Sequence, residues 1–120
     1  MKDLRILDLS NNELQTLPAE LGNLHNLEEL YIENNQLKGA IPAEVRKLEK
    51  LRILKLRRND MTGIPAEIGQ LSRPEELDYG WNLLDTMPME IKNLRRLKKL
   101  WLDHNQYRSL PVEMWQIPNV

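Results

Sequence analysis

The sequence predicts an α/β solenoid, wound right-handed, with five short parallel strands on a concave face and short α or 3-10 turns on a convex one. Three observations predict it. A phrase recurs: LRILDLSNNELQTLP, from Leu4 to Pro18, returns as LRILKLRRNDMTGIP, from Leu51 to Pro65. Leucines within the phrase alternate, L-x-L, which is the period of a strand with one buried face. An asparagine holds the ninth place of every unit, at Asn12, Asn35, Asn59, Asn82 and Asn105.

By period, the chain is a single domain over residues 1–120, divided into units 4–26, 27–50, 51–73, 74–96 and 97–119. The units start 23, 24, 23 and 23 residues apart, and Val120 opens a sixth. One unit cannot bury its leucine face alone, so the units must stack into one sheet over one aliphatic core. The asparagine falls where the strand turns away and its peptide groups lose ladder partners. Its amide carries two donors and an acceptor, enough to bond its own turn and the next. A Pro-x-Glu step opens the second half of each unit, with prolines 18, 42, 65, 88 and 111 and glutamates 20, 44, 67, 90 and 113. Proline suits the first position of a helical turn. The carboxylate faces the positive end of that turn. These five glutamates are read as structural, not catalytic.

The units read L-x-x-L-x-L-x-x-N-x-L and then x-x-L-P-x-E-L-x-x-L, and in this they resemble the leucine-rich repeat family over residues 4–120. The spacing is similar to that of the intracellular and bacterial subclasses. LKGAIP, Leu37 to Pro42, is similar to a form common in plant receptor repeats. Ile64 to Leu71 is similar to intracellular scaffolds around Ras-like signalling. The resemblance implies a non-enzymatic module that binds a protein through its concave surface, with partners in the family ranging over GTPases, kinases, adhesion receptors and surface proteins. Two other readings stay open: a structural segment of a longer array, and a bacterial effector or adhesion fragment.

Composition narrows the chemistry. Basic and acidic residues nearly balance, 17 against 18, for a net charge of −1. No general polyanion binder is expected from that balance. There is no cysteine, which removes thiolate metal sites, disulfides and a cysteine nucleophile. No apolar run approaches the ~20 residues of a membrane span. The N-terminus lacks a signal-peptide core, and there is no glycosylation sequon. A cytoplasmic protein with no cofactor, no nucleic acid and no membrane partner is the expectation. His25 and His104 lie about three strands apart, too far to share a metal. Asp103 beside His104 looks like half of a triad, but neighbouring strand residues are expected to point to different sides, with no serine or cysteine near. The basic run NLRRLKKL, residues 93–100, reads as a solvated edge with phosphate or carboxylate affinity.

Function is expected in the variable strand places that face away from the core. The second-place row, Arg5, Glu28, Arg52, Glu75 and Lys98, alternates in sign and reads as ion pairs that fix register. Glu76 and Lys99 are expected to pair in the third row. The fifth place supplies Tyr31, Lys55, Asp78 and Trp101, the seventh Arg57 and Asp103, and the eighth Arg58, Trp81 and His104. Together they are the candidate partner-binding residues, centred on Trp81 and Trp101, because tryptophan and arginine dominate interface energies. Arg58 beside Trp81 can equally self-pack as a cation–π pair. Gly80 leaves room for a ligand group or marks a bulge.

Three departures and the ends complete the reading. Pro74 replaces a first-place leucine and should stand just before its strand. Tyr79 and Tyr107 occupy leucine places, and the buried hydroxyl of Tyr79 then needs a partner. Neither end has a recognisable cap, with Trp115 a candidate partial lid. Open ends favour end-to-end homo-association, a longer array or irregular cover.

Overall fold

The structure of the protein is a computed structural model that describes residues 3–85 and 88–105. The expectations for Tyr107, Pro111, Glu113, Trp115 and a sixth unit lie outside the described residues.

The period-2 leucines form strands where expected. In chain order the strands are β1 (Ile6–Asp8), β2 (Glu29–Tyr31), β3 (Lys38–Gly39), β4 (Ile53–Lys55), β5 (Asp60–Met61), β6 (Glu76–Asp78) and β7 (Lys99–Trp101). Strands β1, β2, β4, β6 and β7 make one parallel sheet in that order. Register follows the repeat: Leu7, Leu30, Leu54, Leu77 and Leu100 lie side by side. The last four of these are at most 3% exposed. Full burial of one such leucine is worth about 2–3 kcal/mol, so the row fixes the register energetically: a one-residue slip would turn it to water. In the first coil, Leu4, Leu7, Leu9, Leu14, Leu17 and Leu24 are only partly buried, and only one of that coil's two faces has a described neighbour.

The asparagines tie coil to coil. Asn59 donates to Ile32 O at 2.9 Å and Leu56 O at 3.0 Å, and accepts from Leu37 N at 3.1 Å. Asn35, Asn82 and Asn105 repeat the pattern. Each therefore satisfies a carbonyl and an N–H of the preceding coil that the sheet leaves unpaired.

The convex side is built of 3-10 turns at Ala19–Asn23, Ala43–Lys47, Ala66–Gln70 and Met89–Asn93. Here one expectation is corrected. The prolines do not take the first helical position. They are the extended cap residue before it, with ψ between 144° and 152°, where a residue that cannot donate loses nothing. Glu20, Glu44, Glu67 and Glu90 fall in the first turns, as expected. Adjacent turns approach closely: a Cβ on Gly22 would stand 2.7 Å from Glu44 O, and one on Gly69 2.7 Å from Glu90 O.

Two further features were not expected. Strands β3 and β5 pair in a second, two-stranded parallel sheet, next to the extra residue of the second unit and Gly39 at φ +68°. Tyr79 is fully buried, yet among the described residues its hydroxyl has no hydrogen-bond partner, against the expectation of one. Burial pushes its ionisation well up. Pro74 stands two residues ahead of β6, as expected.

Candidate functional site

The second-place row forms a continuous ion ladder. Arg5–Glu28, Glu28–Arg52, Arg52–Glu75 and Glu75–Lys98 are separated by 4.0, 3.9, 3.2 and 3.3 Å. Arg52 holds the Glu75 carboxyl below its usual range, helped by Lys98. Exposed pairs of this kind contribute only ~0–1 kcal/mol each, so the row acts mainly on order: each coil meets an opposite charge. In the third row the expected Glu76–Lys99 pair is absent. Glu76 pairs with Lys55 at 3.3 Å, and Lys99 lies 6.0 Å from the centre of the Trp101 ring.

The candidate residues separate into a floor and a lip. Trp101, half-buried, belongs to the floor, with Lys55 Nζ 3.8 Å over its ring. Tyr31 donates to Glu29 at 2.6 Å, which pushes its phenol up to about 12. Arg57 donates through Nε to Asp78 at 2.9 Å, then reaches across a whole coil to Asp103 with two bonds of 3.1 and 2.8 Å. Asp78 is 5% exposed and also accepts from Gly80 N at 2.9 Å. It supports Arg57 from beneath, which corrects its placement among surface contacts. Gly80 is neither a bulge nor an open slot. A Cβ there would stand 2.6 Å from the Arg57 guanidinium and 2.7 Å from Asp103 Oδ1; the glycine is the gap through which Arg57 passes.

The lip is the eighth-place row. Its residues, Asn11, Asn34, Arg58, Trp81 and His104, all have φ between 54° and 63°. This left-handed region suits asparagine and costs other side chains about 1–2 kcal/mol. Asn34 donates to Asn11 at 2.8 Å. Further along, the Trp81 and His104 rings stack at 3.9 Å and 9°, and Arg58 lies 5.2 Å from the Trp81 centroid on its own coil's side. All three are exposed, Trp81 by 43%.

The left-handed turn also overturns the argument that separated Asp103 from His104. The chain has already left strand geometry there, and His104 Nδ1 lies 2.9 Å from Asp103 Oδ2. Arg57 first, then His104, holds the Asp103 carboxyl well below the usual range. Lip and floor thus share one network: Asp78, Arg57, Asp103, His104, Trp81 and Arg58. Among the described residues no group of three or more His, Cys, Asp or Glu converges for a metal, and no helix is long and apolar enough to cross a membrane.

Comparisons agree with this architecture. A family model described as leucine-rich repeats (2 copies) matches residues 2–45. A curated adenylate cyclase of Podospora anserina is 45% identical over 42 residues, which is 35% of this chain and 2% of that protein. Among solved structures, a leucine-rich repeat protein of Leptospira interrogans superposes with a TM-score of 0.79 at 32% identity, over 96% of this chain and 35% of that one. The PEPR1–AtPEP1 structure superposes with a TM-score of 0.87 at 38% identity, over 97% of this chain and 17% of that one. The chain therefore spans about a third or less of each of these three proteins.

Proposed function

Because the chain belongs to the leucine-rich repeat family, we propose that it is a non-enzymatic module that binds a protein partner, with the Arg58–Trp81–His104 lip at the centre of contact. The family is typically non-enzymatic, and one structural neighbour, PEPR1, is recorded together with AtPEP1. The observation that carries the reading is the cost of the lip. Three adjacent coils hold an exposed arginine, tryptophan and histidine in a backbone conformation that the first two coils give to asparagine. Strain of this kind gathers at functional sites, and tryptophan and arginine are enriched at the energetic centres of interfaces. The floor supports the lip: Arg57 fixes Asp103, Asp103 fixes the imidazole, and the imidazole backs the indole. A partner then meets a surface already ordered, which lowers the entropic cost of binding.

Trp81→Asn tests this. Asparagine suits the left-handed turn, so melting should move by only a few degrees. Affinity capture with the intact chain as bait should lose its specific partner in Trp81→Asn and in Arg58→Ala alike. A retained partner in both variants would overturn the assignment.

A further inference from the structure

The end of each 3-10 helix, together with the turn that leads from it into the next strand, forms a flank of the solenoid separate from the lip. Strands pair in register on one side of these turns, and the helical turns pack against one another on the other. The connecting turns therefore also lie side by side, one coil apart, and Lys50 Nζ reaches back to Asn26 Oδ1 at 2.8 Å between two of them. The first of these turns, residues 22–26, carries no lysine, arginine or carboxylate. The next three are basic. Arg46, Lys47 and Lys50 accompany a single carboxylate, Glu49; Arg73 follows; then come Lys92, Arg95 and Arg96. All seven cations are exposed.

Pairing sets them apart from the cations of the concave sheet, Lys99 excepted. Among the described residues, Arg52, Lys55, Arg57 and Lys98 on the concave sheet each meet a carboxylate within 4.0 Å. None of the seven on the flank does, and the one contact of the Arg46 guanidinium is 3.4 Å to Ala43 O. The whole chain has a net charge of −1, so the flank is a segregation of charge and not a general excess.

We propose that this flank docks an acidic segment of a protein partner, at a site separate from the lip. Complementary charge is the argument for the occupant. Guanidinium groups take carboxylates in paired bonds, and four of the seven cations are arginines. The three basic turns hold no aromatic side chain on which unpaired bases could stack; the imidazole of His25 lies in the first turn, which carries no lysine or arginine. They also expose no large apolar side chain to anchor in a lipid interface; among the described residues the exposed ones are Ile6, Trp81, Leu83 and Met89, all outside the turns.

The test uses the intact chain and labelled poly-L-glutamate, read by fluorescence anisotropy at low and high salt, with no lip partner present. Its outcome is therefore independent of the lip. The polymer should bind at low salt and release as salt screens the pairs. Arg95→Glu with Arg96→Glu should weaken binding about tenfold, and Arg46→Glu with Lys47→Glu should do the same. Lys38→Glu, an exposed charge reversal near the second sheet, should leave it unchanged. Circular dichroism of the variants checks that the fold survives. The proposal is overturned if either double reversal binds as tightly as wild type, or if Lys38→Glu weakens binding equally. It is also overturned if phosphatidylserine-containing vesicles or single-stranded RNA bind more tightly than poly-L-glutamate.

Discussion

Replacing Gly80 by alanine should expose how the floor is built. The new Cβ would stand 2.6 Å from the Arg57 guanidinium, but that group is the end of a flexible side chain, so the guanidinium moves and the backbone stays. What is lost is the double bond to Asp103. A charge-assisted pair contributes about 1.5–3 kcal/mol when buried. Arg57 and Asp103 are 23% and 41% exposed, so solvent reduces this to about 1 kcal/mol. Alanine returns ~0.4–1 kcal/mol by restricting the unfolded chain. The single variant should therefore lose no more than about 0.6 kcal/mol. In an Arg57→Ala background the guanidinium is gone, and the Asp103 carboxylate, 2.7 Å from the Cβ but no longer held by Arg57, can turn aside, so the same change should stabilise by about 0.5 kcal/mol. Urea unfolding of the four chains at neutral pH should give a coupling of about 1 kcal/mol. Acid should abolish it. The folded Asp103 carboxyl lies below its unfolded range, so its stabilisation is complete above about pH 4 and is lost as pH falls through the folded value. Single effects that add within about 0.3 kcal/mol would refute the reading of Gly80.

Three further outcomes follow from the same geometry. Tyr79→Phe should stabilise the fold by about 1 kcal/mol, because it removes a buried hydroxyl without a partner; a loss in urea unfolding would show that the hydroxyl is bonded. Asn59→Ala should cost about 2 kcal/mol or more, since it strands the Ile32 carbonyl and the Leu37 N–H, while the Leu56 carbonyl keeps its bond from Asn82; hydrogen exchange should rise first at Leu37. Tyr31 should ionise near 12 by ultraviolet titration, because its proton is held by Glu29. That stabilisation is full below about pH 10 and fades as pH rises through about 12; Glu29→Gln should bring the transition down.

The sheet, its register and the asparagine ladder were legible because a repeat of constant length converts position into neighbourhood. Residues 23 or 24 apart become adjacent, so Arg52 could be set between Glu28 and Glu75 from spacing alone. Contacts that skip a coil were not legible. Arg57 meets Asp103 46 residues away, and only the pairing of a long side chain with a glycine in the intervening coil signals it. The left-handed eighth place did leave a signal: Asn11 and Asn34 stand there, and asparagine is among the non-glycine residues enriched in that conformation. Reading it would have brought His104 to Asp103. The second sheet had a fainter mark, in the extra residue beside Gly39.

The floor and the lip obey opposite economies, and that contrast is the ground for proposing the site at the lip. Floor cations meet carboxylates, one aromatic carries a lysine over its face, and the ladder alternates in sign. Such a surface has already satisfied itself, and a partner would have to break its pairs to gain new ones. The lip spends energy instead. Stacking returns about 0.5–1.5 kcal/mol for the aromatic pair, and the cation beside it ~0.5–1 kcal/mol. Against this stand three left-handed residues at about 1–2 kcal/mol each. Asparagine would have met the turn's demand at all three coils, as it does at Asn11 and Asn34. Stability alone therefore does not account for arginine, tryptophan and histidine at this place, and a surface that keeps its tryptophan exposed at such a cost is the one on which recognition should be sought.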